Sequence, residues 1–83
     1  NAKIIVIGIN AGNEKIETLL PGTIEKYNDY SEIIKQLCIK HHIEFIDVSD
    51  MDSEIYFPDG VHYNAIGHKE VADRLLKVIY KLI

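Results

Sequence analysis

Eighty-three residues, 47% hydrophobic and 27% charged, make one small globular domain or a piece of one, with no low-complexity tract and no internal domain boundary. Thirteen acids against nine bases give a formal net charge of −4 with no Lys/Arg cluster, which excludes a nucleic-acid partner that would need a basic footprint. No apolar run approaches the length of a membrane span, and the single cysteine excludes an intrachain disulfide or a cysteine zinc cluster.

Lys3–Gly8 is a run of β-branched residues, apolar on both faces, which predicts a central strand of a parallel sheet covered on both sides. Gly8–Gly22 reads as a long polar connection punctuated by Asn10, Gly12, Asn13 and Pro21-Gly22. From Thr23 to His42 the pattern is helical. Tyr27, Tyr30, Ile34, Leu37 and Cys38 fall at spacings of three and four, which places the two tyrosines in helix core and makes Cys38 a buried thiol. His41 and His42 fall at the helix end, where protonated imidazoles favour the carbonyl terminus. Ile43–Val48 predicts a second strand, and Ser49–Pro58 an acidic loop. Asn64 can cap a last helix over residues 65–82, whose Val71, Ala72, Leu75, Leu76, Ile79 and Leu82 form an apolar stripe.

The order strand, helix, strand, helix predicts a right-handed crossover unit in a parallel sheet. Two strands leave two unprotected edges, so neighbours from the N-terminal half of the same domain are expected beside them.

Asp59 and His62 stand three apart, in a loop between a strand and a helix, where open parallel sheets build their sites. A carboxylate beside an imidazole fixes its tautomer and stabilises the imidazolium formed when the ring takes a proton. Gly60 between them permits the bend that turns the carboxylate back toward Nδ1. Standing alone, the same pair also fits a turn-capping Asp and an exposed His.

The surrounding block is more specific. Asp59-Gly60-Val61-His62, followed by Asn64, Gly67, His68 and Ala72, resembles the final block of the SGNH/GDSL hydrolase family, Asp-Gly-x-His-x-Asn-x-x-Gly-His/Tyr. Lys3–Gly8 resembles the strand after that family's Asn-containing block, Tyr27-Asn28 a recurrent pair in the next helix, and Phe45–Val48 the last strand. Tyr63 departs from the pattern, since many members carry proline there. The resemblance implies an α/β fold, a flavodoxin-like three-layer α/β/α sandwich with a parallel sheet, of which residues 1–83 are the C-terminal βαβα portion of a single domain. It further implies Asp59 as orienting acid and His62 as general base in cleavage of a small-molecule or carbohydrate ester through an acyl-serine intermediate, without a cofactor. An acetyl or other short acyl group is the expected acyl. The family's Gly-Asp-Ser block and its oxyanion-hole Gly and Asn have no counterpart here. Ser31 lies in the helical pattern and Ser49 and Ser53 in a loop, so the nucleophile is expected in a preceding part of the domain, and these 83 residues alone are expected to be inactive.

Two readings compete. One is a non-catalytic α/β segment that completes a sheet. The other is a metal-binding module built from Asp59, His62 and the acidic loop of Asp47, Asp50, Asp52 and Glu54, with His68 as a further ligand. Counted from Asp50, the sixth and twelfth positions of an EF-hand loop hold Ile55 and Val61 instead of Gly and Glu, so a solvated acidic loop is expected. His68 is expected on the first turn of the last helix, in the site wall or facing solvent. Asn10 and Asn13 suit either the site mouth or ordinary turn chemistry.

Overall fold

A computed structural model describes residues 2–83. Its frame is a parallel pair of short strands, β1 (Ile5–Ile7) and β2 (Glu44–Ile46), in the register Ile5↔Glu44, Val6↔Phe45 and Ile7↔Ile46. The pairing is parallel, as the crossover pattern predicts, and Gly8 N–H prolongs it by donating to the Ile46 carbonyl at 2.9 Å. Both strands are shorter than the six-residue runs in the sequence. With only these two in the sheet among the described residues, each keeps one edge unpaired and the ladder has no second neighbour to extend it.

The connection from β1 contains a helix where an irregular polar loop is expected. This helix, α1 (Glu14–Leu19), starts at Asn13, whose Oδ1 accepts from the N–H groups of Lys15 at 3.1 Å and Ile16 at 3.5 Å. Six residues with one partly buried apolar position, Ile16, carry no helical period, so the cap is its only local signal.

The long crossover helix, α2 (Thr23–Lys40), begins after Gly22, which has a left-handed backbone and no side chain to cap with. Glu17 of α1 supplies the cap instead. Its carboxylate accepts from Ile24 N–H at 3.1 Å and Gly22 N–H at 2.8 Å, and those two bonds hold its pKa below the ordinary glutamate value. At the other end His42 adopts a left-handed backbone, φ 56°. Ile43 N–H then reaches the Cys38 carbonyl at 2.8 Å and His42 N–H the Ile39 carbonyl at 3.3 Å, a Schellman closure that ends the helix and aims the chain into β2. The buried face of α2 is set by Ser31 and Cys38, and the helix packs on β2. Tyr27, Tyr30 and Leu37 are exposed, which corrects the core position expected for the two tyrosines; the packed face is rotated toward Ser31.

After β2 the acidic stretch is locally organised. Asp47 accepts from Ser49, Asp52 caps a single turn of helix, α3 (Ser53–Tyr56), through Glu54 N–H, and Asp50 pairs with Arg74 at 2.6 Å. The acidic residues are exposed, as expected of a solvated loop, and several also serve as caps or in an ion pair. The final helix, α4 (Ala65–Leu82), has the predicted extent. Its inward residues are Val71, Leu75 and Val78, packed on a core of Ile46, Val48, Met51 and Phe57; Ala72 and Leu76, expected in the stripe, are exposed. Val48, fully buried, sits at the centre. No helix among the described residues is long and apolar enough to cross a membrane.

Candidate active site

The segment from Phe57 to Asn64 joins α3 to α4, and its conformation follows from Asp59. Asp59 Oδ1 accepts from the backbone N–H groups of Val61 and His62, both at 2.8 Å, a tight side-chain turn. The remaining oxygen, Oδ2, lies 3.0 Å from His62 Nδ1. The two sequence-predicted residues are thus brought together in the expected pairing. The His62 and Val61 N–H groups, followed by the imidazole, hold the Asp59 carboxyl at about 2, well below its ordinary 3.8. An ionised carboxylate accepts, so Nδ1 carries a proton, and in the neutral tautomer that this selects, Nε2 presents its lone pair. No bond to Nε2 forms among the described residues, and the His62 side chain is 80% exposed.

Gly60 makes the turn possible for two reasons. Its φ of 83° lies in the left-handed region, and a Cβ there would sit 2.6 Å from Ile16 Cγ1 and closer still to Asn13 Oδ1. The loop therefore lies directly on the start of α1. Asn13 Nδ2 fastens that contact by donating to the Pro58 carbonyl at 3.2 Å.

Asn64 closes the loop onto α4. Its Oδ1 accepts from Gly67 N–H, its Nδ2 donates to the Ile55 carbonyl and its own N–H donates to the Tyr56 carbonyl, each at 2.8 Å. Gly67 is buried because the Tyr56 carbonyl oxygen crosses it; an added Cβ would meet that oxygen at 2.5 Å. The Asn and Gly that follow His62 in the sequence block thus have a local reason to be there, since they clamp α3, the loop and the start of α4 together.

Tyr63 supplies what the sequence did not show. Its ring packs edge-on against Phe57 and His68, with centroids 5.8 Å away in each case, and its hydroxyl accepts from Asn10 Nδ2. Burial pushes the phenol pKa up against that hydrogen bond. Asn10 follows β1, so this bond ties the β1 exit to the segment carrying His62. Beside it opens a cavity of about 650 Å³, lined by the β1 exit, α1, the start of α2 and the residues flanking His62, namely Gly60, Val61 and Tyr63. Asn10 lines this mouth, whereas Asn13 is used as a cap and a clamp.

His68 lies in the first turn of α4, exposed, against Tyr63. Among the described residues no three His, Cys, Asp or Glu side chains converge as metal ligands. Arg74 is engaged by Asp50 and Glu70 and donates to the Asp47 carbonyl, which raises its pKa and lowers that of Asp50. Ser31 is buried in α2 and the Ser49 hydroxyl donates to Asp47 at 2.6 Å, so neither stands free to act as a nucleophile. Comparison with family models, curated proteins and solved structures returns no match.

Proposed function

We propose that this chain is the C-terminal portion of a serine ester hydrolase of SGNH/GDSL type, part of a flavodoxin-like three-layer α/β/α sandwich, in which His62 is the general base and Asp59 its orienting acid. One observation carries the reading. The Asp59 carboxylate is locked by two backbone N–H groups on one oxygen and holds His62 Nδ1 at 3.0 Å on the other, leaving Nε2 open.

That geometry performs a defined sequence of proton transfers. Nε2 takes the proton of a serine hydroxyl as Oγ bonds to the ester carbonyl carbon, and Asp59 stabilises the imidazolium that results. The imidazolium returns the proton to the departing alkoxide, leaving an acyl-serine. Water then gives its proton to Nε2 and attacks the acyl carbon, and the proton passes back to serine as the carboxylic acid leaves. The serine and the oxyanion donors come from a preceding part of the same domain. The two unpaired strand edges and the exposed Tyr30, Ile33 and Leu37 of α2 are the surfaces it would cover. The substrate is a small-molecule or carbohydrate ester.

A second reading has an observation of its own. Asp59 builds the turn through Oδ1 alone, so its place in the loop has a structural reason without any chemistry. Kinetics separate the two. In the enzyme that contains this segment, His62→Ala should lower kcat/KM by about 10⁶ and Asp59→Asn by about 10⁴, with folding checked by circular dichroism. The 83 residues alone should not exceed free imidazole on p-nitrophenyl acetate. A folded His62→Ala enzyme with wild-type turnover would end the hydrolase reading.

A further inference from the structure

We infer that Tyr63 is a positioning residue, whose bond to Asn10 holds the His62 loop against the exit of β1 and so sets where Nε2 stands. This role rests on the hydrolase reading and adds a residue to that site. The His62 ring makes one hydrogen bond among the described residues, to Asp59, and its side chain is 80% exposed. Where the ring stands therefore depends on what holds the loop backbone. The side-chain bonds of Asp59 and Asn64 close between residues 55 and 67. They shape the loop and join it to α3 and α4, but none of them reaches β1.

Among the described residues two side-chain bonds cross from the segment after β1 to residues 57–64. Asn13 Nδ2 meets the Pro58 carbonyl on the chain before His62, and Asn10 Nδ2 meets the Tyr63 hydroxyl directly after it. The second bond is partly buried, whereas the first is exposed, and it acts on the residue adjoining the base. Its lever is firm, because the Tyr63 ring packs edge-on against Phe57 and His68. Its anchor is firm too. Asn10 lies two residues beyond Gly8, whose N–H donates to the Ile46 carbonyl at the end of the ladder. Open parallel sheets build their sites at the carboxyl ends of their strands. A serine supplied there must come within about 2.6–3.2 Å of Nε2, and a misplacement of about 1 Å costs on the order of 100-fold in rate. The Asp59 turn is local and stays closed without Asn10, so losing the tie shifts the Asp59–His62 pair as a unit.

The test is made in the enzyme that contains this segment, with p-nitrophenyl acetate as substrate. Tyr63→Phe keeps the ring and removes the bond. Asn13 and Gly60 still seat the loop before His62, so the shift is a fraction of 1 Å and kcat should fall about tenfold, with KM within about twofold of wild type. The acid limb of kcat against pH should keep its midpoint, because the Asp59–His62 pair moves intact. Asn10→Ala should lose the same factor, and the double variant no more than either single one, since both changes remove one bond. Val78→Ala, which empties core space along α4, should lower stability and keep kcat, with the folded fraction read by circular dichroism. That control separates positioning from general loosening. A Tyr63→Phe enzyme within about twofold of wild-type kcat, losses that multiply in the double variant, a moved midpoint, or a loss confined to KM overturns the inference. The two readings fail separately. A large His62→Ala loss beside normal Tyr63→Phe turnover removes the positioning role and leaves the dyad. Wild-type turnover in folded His62→Ala enzyme removes the hydrolase reading and the role that rests on it.

Discussion

Replacing Gly60 with alanine tests whether the loop that pairs Asp59 with His62 is as tightly seated as its contacts require. Gly22 provides the control, because both glycines have a left-handed backbone, with φ 83° at Gly60 and φ 90° at Gly22. A Cβ at Gly22 would meet nothing within 4 Å, so Gly22→Ala carries only the conformational penalty, about 1 kcal/mol. At Gly60 the same atom would collide with Asn13 Oδ1 and stand 2.6 Å from Ile16 Cγ1. Asn13 would have to leave the N-terminus of α1, a loss of about 1 kcal/mol, and Ile16 would have to move within its packing, about 1–3 kcal/mol more. Gly60→Ala should therefore destabilise by about 3 kcal/mol or more, at least 2 kcal/mol beyond the control. Urea unfolding followed by far-ultraviolet circular dichroism measures both, with trimethylamine N-oxide added so that the weaker variant starts folded. The His62 Nδ1 proton, followed by NMR, should lose its hydrogen-bonded shift in Gly60→Ala and keep it in Gly22→Ala. Equal destabilisation by the two substitutions, within about 0.5 kcal/mol, would refute the crowding argument and with it the seating of the loop on α1.

Asn64→Ala removes the cap bond of α4 and the side-chain link to the Ile55 carbonyl, and should lower stability by about 2 kcal/mol in the same denaturation assay. His42→Gly should raise stability by about 1 kcal/mol, since glycine takes the left-handed position that ends α2 without the steric penalty; a loss would mean that the imidazole makes a compensating contact. The Asp59 carboxyl titrates at about 2 in the folded chain against an ordinary 3.8, so its stabilising contribution is fully present above pH 3.8 and is lost as pH falls through about 2. Wild type should therefore lose more stability than Asp59→Asn across that window, and parallel acid unfolding curves would remove the turn-building role. Asp59→Asn should also move the His62 ring proton from Nδ1 toward Nε2, because an amide N–H facing Nδ1 requires an acceptor there; ring ¹⁵N shifts report the tautomer.

Where the sequence was legible, its signals were strong and local. The β-branched run at Ile5–Ile7, the crossover spacing and the Asn64 cap placed the parallel pair and both long helices, and Asp59-Gly60-Val61-His62 placed the dyad. The misses have physical causes. α1 has too few apolar positions to show a period, and α3 is a single turn capped by the exposed Asp52, too short to show one. Tyr27, Tyr30 and Leu37 follow a helical period, yet the residues of α2 that are buried are Ser31 and Cys38, and period alone does not choose between adjacent faces. The bond between Asn10 and Tyr63 joins positions far apart in the chain, and neither residue type announces the other.

The chain distance between paired groups also sets the order in which the site can assemble. Asp59 bonds to Val61 and His62, and Asn64 to Ile55, Tyr56, Gly67 and His68, all close by in the chain. These contacts close short loops with little entropy loss and can form on the timescale of a single helical turn. The cavity is different, because its walls need β1 and α1 brought to the far end of the chain, with all of α2 lying between β1 and β2. Closing that span is the slow, non-local step. The hydrogen-bonded pair therefore precedes the cavity during folding. In native-state hydrogen exchange, the amides of Val61, His62 and Gly67 should stay protected through openings that already release Ile5–Ile7.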